Sequence, residues 1–262
     1  MNASNAQLNV SQPFRTQRHV FELDELEAAG ANVSSLCYQS SCIDGLRIEY
    51  IEPTIIMESD RSWTMMSNGV LNGGLHQGNA AVNYRVSLQY ESSDPQHDMV
   101  QLLQQKGLQP DHCIGFMTAA KLSHAAISEL AREDFSIVVL ATAGTSNAAR
   151  AGLPRESYKG YHAGTINIFI WINARMSDAA MVNAIMTATE AKSAALADLA
   201  VKEAANGLIA TGTSTDALLL AVSQDVAYAA EHQYAGTATE LGSQLAQLVY
   251  TTVHLAVRTQ RE

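Results

Sequence analysis

Candidates for acid–base chemistry are few in this sequence, and the leading ones fall in two segments, TATEAK at 187–192 and ATGTSTDA at 210–217. Glu190 lies in an alanine-rich stretch with strong helix propensity. Partial desolvation there would raise its pKa toward that of a useful general base, and the ordinary alternative is a buried partner for a Lys or a loop amide. Lys192 follows two residues later, about 200° around a helix from Glu190, so both cannot address one reacting atom and one of them serves structure. Its ordinary reading is a solvated surface lysine. Asp216 closes a turn at the start of an apolar run, where a carboxylate can orient a Thr hydroxyl, accept a proton through water, or cap the turn. Thr145, Thr165 and Thr213 could act as nucleophiles if a base or a freed amine deprotonated them, and otherwise make turns and strand ends. His76, directly after the Asn72-Gly73-Gly74 turn signal, is a reserve acid or base against the ordinary reading of a hydrated loop histidine. His97, His112, His124 and His162 have no spacing that singles them out.

These residues need a scaffold, and the hydrophobic pattern predicts one. GLRIEYIEPTIIME at 45–58 reads as strands interrupted at Pro53 near a sheet edge, which makes the N-terminal part β-rich. Asn68-Gly69 and the 72–74 turn precede a strand at 81–86, and a short helix at 95–106 stops at Gly107. FSIVVLATAG at 135–144 and TINIFIWIN at 165–173 are continuous apolar runs of buried strands that deliver loops to a site. From an N-cap at Ser177 the helical signal runs to Gly207, with Val182, Ile185, Met186, Thr189, Leu196 and Ala200 as its buried stripe. A strand over ALLLAVS (217–223) and an amphipathic helix over GTATELGSQLAQLVYTTVHLAV close the chain. The expected fold class is α/β to α+β, a mixed β-sheet covered by helices.

The 262 residues are 47% apolar and 16% charged, as in a globular chain, and suit a single domain over 19–262 after a loose tail at 1–18. A net charge of -10 without a basic cluster opposes a nucleic-acid surface. The N-terminal stretch lacks the order of a secretory signal, and no run reaches the roughly 18 apolar residues of a membrane span, so a cytoplasmic location is expected. Cys37, Cys42 and Cys113 are an odd number that suits reduced thiols. Asp111, His112 and Cys113 lack a second pair at zinc-site spacing, so no metal site is expected. The closing helix could pack within a subunit or across a homodimer.

Several segments in this order carry a resemblance: SNGVLNGG (67–74), AAVNYRV, GFMTAA (115–120), ATAGTSNAARAG (141–152), GTINIFIWINARMSDAAMVNAIMTATEAKSAAL (164–196), ATGTSTDALLLA (210–221) and GTATELG (236–242). From about residue 67 to residue 257 the chain resembles the adenosylcobinamide amidohydrolase family. The specific part is TATEAK followed by ATGT-x-TDA. The resemblance implies hydrolysis of the amide joining aminopropanol to a propionate side chain of the corrin ring, giving adenosylcobyric acid for cobamide salvage. The corrinoid is then substrate, and no cofactor is implied. Amide hydrolysis needs an activated water or nucleophile, oxyanion donors and an acid for the leaving amine, for which Glu190, Asp216, Lys192 and His76 are the candidates. Neutral donors in the matching segments suit a substrate fringed with amides, namely Asn72, Asn83, Thr118, Thr145, Asn147, Thr165, Asn167 and Thr213, with Gly73 and Gly74 allowing close approach. The rival function is a corrinoid-binding or trafficking protein without catalysis, although the Asp-x-His-x-x-Gly pattern of familiar carriers has no match around Asp94–Asp98 or Asp111–Gly115.

Overall fold

The computed structural model describes residues 10–15, 36–153 and 165–262; His162 lies outside them. The chain runs β1 (Val10–Ser11), β2 (Leu36–Gln39), β3 (Arg47–Ile51), β4 (Thr54–Ser67), β5 (Gly74–Arg85), α1 (Pro95–Gln105), β6 (Cys113–Thr118), β7 (Ala126–Ala131), β8 (Ser136–Ala143) and β9 (Ala148–Ala149). It continues through β10 (Ile166–Asn173), β11 (Arg175–Met176), α2 (Asp178–Asp198), β12 (Gly212–Thr213), β13 (Ala217–Val222), β14 (Glu231–His232) and α3 (Glu240–Thr259). Ten strands form one curled mixed sheet in the order β1-β7-β8-β10-β13-β4-β3-β2, with β5 pairing β4 and β6. The β10–β13 and β5–β6 pairs are parallel. The expected class of a mixed sheet covered by helices, β-rich at its start, is what the chain builds. Among the described residues no helix is long and apolar enough to cross a membrane.

The continuous apolar runs become strands because both faces of the sheet are covered. Val138 and Leu140 of β8 and Phe169 and Trp171 of β10 point into the curl, where Trp63 and Trp171 meet edge-on at 5.1 Å. Ile137, Val139, Ile168 and Ile170 point outward under α2 and α3. A smaller cluster seats Met99 and Leu103 of α1 against Ala80 and Val82 of β5.

Each helix starts on a short polar cap, the one at Ser177 as expected. Asp94 accepts from the His97 N–H at 3.0 Å with Pro95 in the first turn, Ser177 accepts from Ala180 N–H at 3.2 Å, and Thr239 accepts from Gly242 N–H at 3.0 Å. Four expectations are corrected. Pro53 occupies the turn between β3 and β4, where no ladder N–H is lost, and β4 is paired on both sides rather than at an edge. The strand expected at 81–86 begins at Gly74. Residues 10–15 of the expected loose tail are docked: β1 pairs β7, Phe14 is buried, and the Gln12 amide donates to His124 O at 2.7 Å and to Thr259 Oγ1 at 2.8 Å.

The fourth correction concerns α2, which ends at Asp198 and buries a different face. Val201 N–H bonds Leu196 O at 3.0 Å and Ala200 N–H bonds Ala197 O at 2.9 Å, a Schellman closure with Ala200 at φ 50°, where glycine is usual. The face against the sheet and α3 carries Ala180, Ala184, Ala188, Ala191 and Ala195, because small side chains let the helix approach closely. Of the expected stripe only Leu196 is buried, while Val182 and Met186 are 51% and 54% exposed.

Left-handed backbone disfavours a Cβ, so Ala200→Gly is expected to stabilise the fold by about 0.5 kcal/mol, raising Tm by about 1–2 °C. Paired thermal melts of the two proteins measure it.

Candidate active site

The loop leading into β13 is built around one carboxylate. Asp216 accepts from the Thr213 N–H at 3.1 Å and from the Thr213 hydroxyl, from the Ile166 N–H at 3.1 Å, and from Lys192 Nζ. Local sequence supplies the first two, because a carboxylate three residues after a turn residue folds back on that residue's backbone. Tertiary structure supplies the others: the β10 strand start presents Ile166, and α2 extends Lys192 across its alanine face toward the loop. The ion pair is largely withdrawn from water, with side-chain exposures of 11% for Lys192 and 17% for Asp216. Gly212 is required here, since a Cβ would collide with Asp216 Oδ2 and crowd Lys192 Nζ.

Further clamps hold this loop. Thr213 and Gly212 in β12 pair with Ala148 and Ala149 in β9, and the Asn147 amide donates to Ser214 Oγ at 2.8 Å and Thr215 Oγ1 at 3.4 Å. Ser193 Oγ donates to Thr211 O at 2.8 Å, fastening α2 to the loop. From the β4–β5 turn, the Asn68 side chain donates to Asp216 O at 2.9 Å and accepts from Leu218 N–H at 2.8 Å.

Beneath the loop the inward rows of three strands end on polar side chains that bond one another. Asn167 donates to Asn83 Oδ1 at 2.8 Å and Met117 O at 3.2 Å, Asn83 donates to Thr142 Oγ1 at 2.9 Å, and Thr165 Oγ1 lies 2.7 Å from Thr215 O. Full partnering is what allows these buried amides to sit at the end of an apolar core.

Two cavities meet at the pair, sharing Asn68, Asp216 and Ala217 in their walls. The larger, about 640 Å³, is mixed, with the hydroxyls of Ser87, Tyr90, Thr118, Ser214 and Thr215 beside the apolar Val70, Phe116 and Met117. Burial, and then the hydrogen bond to Asp98, push the Tyr90 phenol up to about 12, so it faces the cavity neutral. The smaller, about 430 Å³, is lined by Met66, Ile166, Ile168, Ile185 and Leu218, with Lys192 as its cation. An ammonium on the wall of a confined apolar cleft is a donor aimed where a polarised carbonyl oxygen could sit.

The structure gathers Lys192, Asp216, Thr213, Thr165, Thr118 and Asn147 around this junction. Other expectations are corrected. Glu190 is exposed, on the opposite side of α2 from Lys192, so the desolvation that recommended it as a base does not occur. His76 lies outside both cavity linings, with Nε2 2.9 Å from Asp111 O. Asn72 spends its amide on Pro110 O and Cys113 O, each at 2.8 Å, and Gly73 and Gly74 complete that turn away from the cavities. Asn83 and Asn167 are fully buried and bond one another beneath the site. Thr145 is bound through its N–H and hydroxyl to Gln260 Oε1, at 2.7 and 3.1 Å. The residue that sequence reading missed is Asn68; its Asn-Gly signal reported a loop, and nothing local said that the amide would reach a strand about 150 residues away.

The model of the family described as adenosylcobinamide amidohydrolase matches residues 39–262. An adenosylcobinamide amidohydrolase of Methanosarcina mazei is 29% identical over 204 residues, which span 76% of this chain and 90% of that protein. An uncharacterised protein of Methanocaldococcus jannaschii is 29% identical over 171 residues, 58% of this chain and 66% of the relative.

Removing one partner of a withdrawn ion pair leaves an uncompensated charge, so Asp216→Ala is expected to cost about 3 kcal/mol. The Asp216→Ala/Lys192→Met double variant is expected to recover part of that loss. Urea denaturation of the four proteins of the cycle measures the coupling.

Proposed function

The chain belongs to the adenosylcobinamide amidohydrolase family, whose reaction is hydrolysis of an amide, and on that premise we propose that it releases aminopropanol from adenosylcobinamide and yields adenosylcobyric acid. The corrinoid is the substrate, and its salvage into cobamides is the role this product would serve. The observation that carries the reading is the Lys192–Asp216 pair at the junction of two cavities, inside the matched region.

Hydrolysis forms a bond from water oxygen to the carbonyl carbon and breaks the C–N bond. The products are a carboxylate and a protonated amine. Charge develops on the carbonyl oxygen as water adds, and Lys192 Nζ is the donor placed to hold it. Asp216 fixes that ammonium; both its oxygens are already engaged by Thr213, Ile166 and Lys192, which suits a positioning carboxylate better than a proton acceptor. Hydroxyls of Thr118, Ser214 and Thr215 on the larger cavity suit the hydroxyl and amide of the departing aminopropanol arm.

The deciding experiment incubates the protein with adenosylcobinamide, with and without chelator, and follows adenosylcobyric acid and aminopropanol by mass spectrometry. Both products are expected in each sample. Loss of a transition-state donor lowers kcat by about 10²–10³-fold, the effect expected for Lys192→Met. Glu190→Gln is expected to keep kcat within about twofold, since the exposed carboxylate has no part in the reaction. Tight corrinoid binding without aminopropanol release would replace hydrolysis by carriage.

A further inference from the structure

Asn68 lies with Asp216 and Ala217 in the walls of both cavities, and of the three only Asn68 has a side-chain donor. Its amide meets the start of β13 as a neighbouring strand would: Oδ1 accepts from Leu218 N–H at 2.8 Å, and one N–H donates to Asp216 O at 2.9 Å. A primary amide has two N–H groups, and among the described residues nothing accepts the second. Asn68 is exposed, so that donor is within reach of an occupant of the cavities.

The turn that carries Asn68 is held as firmly as its side chain. Gly69 N–H donates to Ser67 Oγ at 2.9 Å, and Leu71 and Gly115 exchange N–H···O bonds at 3.3 and 3.2 Å. A Cβ at Gly69 would stand 2.7 Å from Phe116 Cε1 and 2.9 Å from Gly115 O, so the turn packs directly on β6. A donor fixed in this way needs no reorganisation when charge develops beside it, the condition under which a hydrogen bond lowers a barrier most.

We propose that Asn68 is a catalytic residue of the hydrolysis, its second N–H donating to the carbonyl oxygen that Lys192 also addresses. The inference rests on the hydrolase reading above and supplies that site with a second donor. Asp216 ties the two donors together, since its carboxylate takes Lys192 Nζ and its backbone oxygen takes Asn68. An amide with its acyl part in the smaller cavity and its amine arm in the larger passes the wall they share, and Asn68 is the donor in that wall. A carbonyl oxygen has two lone pairs and gains charge as water adds, so it takes a second donor without displacing the first. Because the carboxamide is neutral, it leaves the Lys192–Asp216 pair undisturbed, whereas a second cation would compete for the carboxylate. Asn68 gives a hydrogen bond and transfers no proton; the bonds made and broken are those of the hydrolysis itself.

The test is a double-mutant cycle on the full-length protein, with Asn68→Ala, Lys192→Met and the two combined. Release of aminopropanol gives kcat, and calorimetry gives Kd for adenosylcobinamide. Removal of one oxyanion donor predicts that Asn68→Ala lowers kcat about 10²-fold, with Kd within about threefold of the parent. In the Lys192→Met background the same change is expected to cost a further loss of about tenfold or more. That second loss separates donation from positioning, because a residue that acted only by holding Asp216 under Lys192 would change nothing once the ammonium is gone. Asn68→Asp keeps an acceptor for Leu218 N–H but has no N–H to give, and its kcat is expected to fall at least as far. Thermal melts establish that each variant is folded at the assay temperature. A parent-like kcat in either Asn68 variant, or no further loss in the Lys192→Met background, overturns the inference and leaves the hydrolase reading intact. A parent that releases no aminopropanol from adenosylcobinamide overturns the hydrolase reading and the inference with it.

Discussion

Bringing a lysine ammonium to the buried side of an alanine-rich helix costs several kcal/mol unless an anion meets it there, and this constraint organises the surrounding structure. Asp216 is that anion, and it has to arrive in one place. Thr213 folds onto it locally, Ile166 holds it from the strand start, Gly212 leaves it room, and Asn68 pins its backbone from the end of the neighbouring strand β4. Each clamp removes a way for the carboxylate to drift from Nζ, so the ammonium is pre-positioned before a substrate arrives, which is the form in which electrostatic stabilisation contributes most to a reaction.

The layers beneath follow from the same requirement. A loop built from Thr, Ser, Gly and Asp has little apolar surface with which to anchor itself, and the curled sheet offers it a floor of Asn83, Thr142, Thr165 and Asn167 in place of more hydrocarbon. Because these groups satisfy one another, the floor is rigid without being exposed. Above it the pair stands where two cavities meet, one rich in hydroxyls and the other lined mainly by aliphatic side chains.

Much of the scaffold was legible residue by residue. The run IVVLATA reads as a strand covered on both faces, and Ser177 marks a helix start because a short polar side chain there meets an N–H within its own turn. The end of α2 was not legible. Its Schellman closure uses Ala200 in a conformation that normally advertises itself with glycine, and the core against which the flanking Leu199 and Val201 pack is assembled from distant parts of the chain. The buried face of α2 misled for a related reason. Larger side chains suggested the core, whereas close approach to the sheet selected the alanines.

The sequence by itself determined the family, the alternation of strands and helices, and the two segments that hold Lys192 and Asp216, because motifs, caps and apolar periodicity are written in neighbouring residues. Spacing also implied that Glu190 and Lys192 would face different ways. Which of them would be buried, and which partners Asn83, Asn167 and Thr145 would bond, was decided only by tertiary structure. Those outcomes depend on partners separated by up to about 150 residues, such as Asn68 with Leu218 and Thr145 with Gln260, and a hydrogen bond across that distance leaves no local pattern to read.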